Sequence, residues 1–190
     1  MYDFKSISML NRPFFSRILL VLILGLAFFL RVYHSGTPGI SLDEKYTMVI
    51  SQGVVMGGSN QKDVFYTPGK TYFTPREFWK EKTFNDFIEA NIRGDIGNSP
   101  TYYGILWVWM KLFGLSDFSA RLLSVVCSTL LVGLLYVFVR RHLKSTPLAL
   151  ISAFLAAIEP FFVAYSQMAR NYSMSFLLTL LATHLLLLIL

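Results

Sequence analysis

Apolar positions in this chain fall into long runs, separated by one extended polar stretch. The first run covers 18–30 between Arg17 and Arg31. If the two arginines snorkel to the headgroups, the crossing extends over 14–33, about the 20 residues a membrane span needs. No small-residue cleavage site follows it, so it reads as a signal-anchor and not a removed signal peptide. A second run, 122–139, carries no charge and ends in Arg140, Arg141, His142 and Lys144. A third, 148–163, is interrupted by Glu159-Pro160, and a fourth occupies 172–190. Between the first two lies 102–113, apolar and aromatic but too short to cross.

Basic flanks orient these runs. Cytoplasmic loops carry the excess of Lys and Arg, which places the N-terminus and the 140–147 loop inside. Two crossings between them satisfy that rule, so 102–113 is expected to re-enter or lie in the interface. The expected organisation is a cytoplasmic N-terminus with a first span (1–33), an outer loop (34–119), a second span (120–139), a cytoplasmic basic loop (140–147), a third span (148–163), an outer connection (164–171) and a fourth span (172–190). The last run stops while still apolar, so the fourth span is expected to be incomplete and the chain to be the front of a longer protein. In the outer loop, 53–69 reads as a mobile Gly-, Asn- and Lys-rich segment. Thr74-Pro75-Arg76-Glu77 has the form of a capping box, and Thr83-Phe84-Asn85-Asp86 is a weaker helix start. Phe84, Phe87, Ile88 and Ile92 share one helical face. The fold class is all-α: a polytopic membrane helical bundle of about four spans, with a large outer loop carrying short amphipathic interfacial helices.

Composition agrees. Over the 190 residues, 54 % are apolar and 15 % charged, against about 25 % charged in ordinary soluble proteins. Mean hydropathy is +0.52. The net charge of +6 resides in the apolar parts and their flanks, because 34–99 holds eight acids against seven bases. That distribution excludes a basic groove for nucleic acid. Cys127 is the sole cysteine, which excludes an internal disulfide. Cys127 and His184 read as packing residues. Glu159, inside a span, is expected to pair with Arg121 at the outer end of its own span.

Two polar clusters fall on the outer side of this topology. Ser41-Leu42-Asp43-Glu44 follows the first span, and Tyr165-Ser166-Gln167-Met168-Ala169-Arg170-Asn171-Tyr172 joins the third to the fourth. A carboxylate can take a proton from an attacking hydroxyl, and a guanidinium can grip a phosphate through two hydrogen bonds. Residue types alone favour a solvated acidic pair beside Lys45 and a snorkelling Arg170.

Asp43-Glu44, then Asn98-Ser99-Pro100-Thr101-Tyr102-Tyr103, Trp107, Leu112-Phe113-Gly114, Ala120-Arg121-Leu122 and the block 165–172 together resemble the N-terminal part of the polyprenol-phosphate-sugar-dependent glycosyltransferases. This is the GT-C superfamily of the protein O-mannosyltransferases and the lipid A aminoarabinose transferases. The resemblance implies catalytic roles for Asp43 and Glu44. It implies substrate contacts for Gln167, Arg170, Tyr172, Asp95 and Tyr103. Ser99 stands where many relatives have His. It implies a polyprenyl-phosphate-linked sugar as donor, an acceptor lipid, glycan or protein, and transfer with inversion at the outer face of a bacterial plasma membrane. Further spans of the same protein, or a partner subunit, would complete the site. No metal-ligand spacing is present, and a divalent cation is left open. The alternatives are a non-catalytic membrane protein that binds lipid-linked saccharide or a partner, and a small transporter.

Overall fold

The computed structural model describes residues 13–55, 82–94 and 99–190. The helix start at 74–77, most of the Gly-rich segment and Asp95 lie outside the described residues. Within them are eight helices and no strand: α1 (Pro13–Val32), α2 (Leu42–Ser51), α3 (Phe84–Gly94), α4 (Pro100–Phe113), α5 (Asp117–His142), α6 (Thr146–Ile158), α7 (Pro160–Ser166) and α8 (Tyr172–Ile189). The chain divides into two compact units, Met1–Pro38 with Arg121–Leu190, and Gly39–Ala120.

The first unit is a helical membrane bundle. α1, α5 and α8 are each long and apolar enough to cross, and α6 with α7 makes a fourth crossing when the bent pair is counted as one. α5 has 26 residues and spans about 39 Å, more than the ~30 Å hydrocarbon core of a bilayer. Lipid tails are as apolar as leucine, so helices associate in them by close packing of small residues. That is the role of Ala149, Ala153, Ala156 and Ala157 on α6. They are buried with Ile23 and Ala27 of α1 and Val132, Tyr136 and Val139 of α5. Gly133 of α5 faces α1, where a Cβ would make an ordinary contact with Leu24 at 3.6 Å. Val21, Leu22, Leu130, Val137, Ile151 and Leu155 point outward and are exposed, as lipid-facing positions should be.

The third span is not straight. α6 and α7 meet at 57°. Pro160 has no N–H and pushes the residue before it out of helical backbone. Glu159 accordingly sits at φ −63°, ψ 121°. Its carboxylate then caps α7, Oε2 accepting the Phe162 amide at 2.9 Å. This corrects the expected Glu159–Arg121 pair. Arg121 instead donates through Nη1 to the Ser35 and Pro38 carbonyls at 2.7 and 2.9 Å, fixing the chain just beyond α1.

The second unit is built on α2, α3 and α4. The start at Thr83 forms a cap. Asp86 Oδ2 accepts from the Thr83 amide at 2.7 Å and its hydroxyl at 2.8 Å, while the Asp86 amide donates to Thr83 Oγ1 at 3.3 Å. Those bonds from the Thr83 amide and then its hydroxyl, with Lys82 nearby, hold the Asp86 carboxyl below its usual range. Phe87 is buried on the expected face, whereas Phe84, Ile88 and Ile92 stay exposed. Gly53 turns the chain after α2 at φ +75°, where a Cβ would meet the Phe87 amide nitrogen at 3.0 Å. α4 has 14 residues, short of a crossing, and buries Tyr102, Tyr103, Leu106 and Met110. Trp107 lies against Phe84 and Phe87 with Lys111 Nζ 3.9 Å above its ring.

Candidate functional site

The acidic corner belongs to the second unit. Ser-x-x-Glu is a helix-start signature, and 41–44 uses it as one. Ser41 Oγ accepts the Glu44 amide at 3.3 Å, and Glu44 Oε2 accepts the Ser41 amide at 3.0 Å. The reciprocal bonds bury Glu44 to 2 % exposure. Asp43, one residue earlier, faces outward. The two neighbouring carboxylates therefore differ in position: Glu44 fixes the start of α2, and Asp43 is exposed on its first turn. Tyr103, on α4 of the same unit, is 1 % exposed and packs in its interior.

The second cluster belongs to the membrane unit. After α7 the chain turns through 167–171 into α8. Gln167 Nε2 donates to the Leu30 and Tyr33 carbonyls at 3.2 and 3.0 Å. These carbonyls end α1 and have no intrahelical partner, so Gln167 ties this turn to the first span. Ser124 Oγ of α5 donates to the Arg170 carbonyl at 3.1 Å. The Arg170 guanidinium carbon lies 5.8 Å from the centre of the Tyr172 ring, which itself meets Tyr165 edge-on at 4.9 Å. The half-buried guanidinium is thus backed by an aromatic face on a turn tied to two spans, an arrangement with the chemistry to hold an anion.

Asp43 and Glu44 thus sit with Tyr103 in one unit, and Gln167 sits with Arg170 and Tyr172 in the other. Asp95 lies outside the described residues. Among the described residues no three of His, Cys, Asp and Glu gather as metal ligands would.

The first arginine pair also needs a correction. Arg31 does not snorkel: it is wholly buried. Nε donates to Ser128 Oγ at 2.8 Å, Nη1 to the Ala27 and Ala157 carbonyls at 3.0 and 2.9 Å, and Nη2 to the Ala156 carbonyl at 3.0 Å. In an unbroken helix the Ala156 carbonyl would accept from residue 160, which is proline and has no N–H. The guanidinium supplies the donors that the break withholds. The spacing of Ile23, Ala27 and Arg31 on one face was the available signal.

Residues 98–190 match the family model of the dolichyl-phosphate-mannose-protein mannosyltransferases. The likeness read from the sequence holds over that stretch. No curated protein and no solved structure matches the chain.

Proposed function

The stretch 98–190 ties this chain to the dolichyl-phosphate-mannose-protein mannosyltransferases, a family of membrane glycosyltransferases, and from that premise we propose that it moves a sugar from a polyprenyl-phosphate donor to an acceptor hydroxyl on the outer face of a bacterial plasma membrane. The acceptor oxygen attacks the anomeric carbon opposite the lipid phosphate. The new C–O bond forms as the bond to the phosphate oxygen breaks, inverting that carbon. The acceptor proton passes to Asp43, and the polyprenyl phosphate leaves with the bond's electron pair.

The observation that carries this reading is the family match across the block holding Arg170 and Tyr172. Arg170 offsets the charge that grows on the departing phosphate, where a prearranged cation is most effective. Tyr172 backs the guanidinium, and Gln167 keeps the turn in place. Asp43 acts as general base, a contribution of about 10²–10⁴-fold. Its outward position beside the capped Glu44 supports that division of labour. The later spans, in this chain or a partner subunit, would complete the acceptor side.

Sugar transfer in membranes tests it. Asp43→Asn should lower turnover by about 10²–10⁴-fold with donor binding intact. Arg170→Ala should weaken donor binding by about 10–100-fold, the worth of a hydrogen bond to a charged group. Unchanged turnover in the first variant removes Asp43 from the mechanism. Donor binding with no turnover in the unaltered protein would favour the non-catalytic reading instead.

A further inference from the structure

We propose that a cationic cavity at the α5–α6 turn binds the phosphodiester headgroup of an anionic phospholipid. The cavity, of about 500 Å³, is lined by Tyr136, Val137, Arg140, Arg141, Lys144 and Thr146. All six belong to the membrane unit. That volume lies in the range of small-molecule sites.

Charge is the first argument. Three cations share the cavity, and only Arg140 has a local partner, donating from Nη1 to the Tyr136 hydroxyl oxygen at 3.5 Å. Among the described residues of this unit the one carboxylate side chain is Glu159. It sits at the far end of α6, 13 residues away from the turn, or about 20 Å, and there it caps α7. No described carboxylate of this unit lies near enough to neutralise them. The second argument is the backbone. Lys144 has φ +52°, a left-handed position after a helix where glycine is the ordinary choice. The turn accepts that strain and keeps a cation. Thirdly, α6 begins at Thr146 behind the Ser145 cap, so the positive end of its dipole adds to the same field.

Shape chooses between a lipid and a free phosphate ester. Val137 lines the cavity and is 47 % exposed, and Leu130, two turns earlier on the same helical face of α5, is exposed as well. That apolar surface suits acyl chains running down the bundle from a headgroup held at the turn. A free ester would have no use for it. Basic pockets between spans recognise anionic headgroups on this physical basis. None of the six residues has a part in sugar transfer, so the two readings stand or fall separately.

The test uses the purified full chain in detergent micelles, equilibrated with phosphatidylglycerol or phosphatidylcholine bearing the same labelled acyl chain. Phosphatidylglycerol should bind about tenfold tighter or better, and Arg141→Gln and Lys144→Gln should each weaken it about fivefold. Arg17→Gln removes an exposed cation of the same unit outside the cavity and should change nothing. Lys144→Gly, which suits the left-handed backbone, should unfold at the same or a higher temperature yet still lose the lipid, separating binding from folding. Glycerol phosphate should displace the lipid poorly. Equal affinity for the two lipids, or an equal loss in Arg17→Gln, would overturn the proposal. Displacement by glycerol phosphate as effective as by the lipid would assign the cavity to free phosphate esters instead.

Discussion

Arg31 shows how a single side chain can hold a broken helix inside a membrane. Its four hydrogen bonds join α1, α5 and the end of α6. Replacing it with leucine leaves the Ala156 and Ala157 carbonyls buried without donors, a cost of about 1–3 kcal/mol for each such group. Arg31→Leu should therefore lower the stability of the purified protein by about 3 kcal/mol or more, read from denaturant titration in micelles. Arg17→Leu, at an exposed position, should stay within about 0.5 kcal/mol of the parent. Equal losses in the two would remove the clamp from the account. Lysine is no substitute, because one ammonium lacks the planar fork that reaches three elements at once. Sequence reasoning could place Arg31 on the face of Ile23 and Ala27. It could not see which carbonyls would lie there, since those belong to residues 125 and 126 positions later.

At the scale of elements, helix starts were legible and their purpose was ambiguous. Ser41-x-x-Glu44 carries the letters of a capping box and also those of an acidic site, and the geometry gives Glu44 to the first while Asp43 stays exposed. The Glu159-Pro160 interruption was equally visible. The 57° turn it produces depends on the Glu159 cap and on Arg31, which no local pattern encodes. The Thr83–Asp86 cap supplies a pH test. Its carboxyl titrates below the usual range in the folded chain, so its stabilising effect is complete above the ordinary carboxylate pKa of about 4. It is lost as pH falls through the lower, folded value. Protection of the Asp86 and Phe87 amides from exchange, relative to the intrinsic rate at each pH, should therefore hold at neutral pH and be lost only in acid. Asp86→Asn should lack that protection at both. Loss of protection in the parent between pH 7 and 5 would contradict the cap.

For the whole molecule, the three candidate spans and the bent fourth among the described residues coincide with the apolar runs, because a span must bury some 20 residues regardless of its neighbours. Orientation remains a prediction from the positive-inside rule. Single cysteines introduced by Leu42→Cys and Ala164→Cys, both at exposed positions, should react with an impermeant maleimide from the outer side, and Lys144→Cys only after the cytosolic side is opened. The native Cys127 is buried and gives little background. Leu42→Cys and Ala164→Cys reacting from opposite sides would end the sugar-transfer proposal, since Asp43 and Arg170 would then serve different compartments.

The arginine clamp also dictates an order of assembly. During synthesis the first helix leaves the ribosome 126 residues ahead of Ala157, a delay of about ten seconds at ordinary translation rates. Until Ser128 follows, 97 residues behind Arg31, the guanidinium has none of its acceptors outside its own helix, and a charge in hydrocarbon is costly. The nascent helix must wait high in the bilayer with Arg31 among headgroups and water. It reaches its final depth when the kinked hairpin of the third crossing arrives and offers the carbonyls it needs. Insertion of the first segment is therefore completed by a helix made long after it.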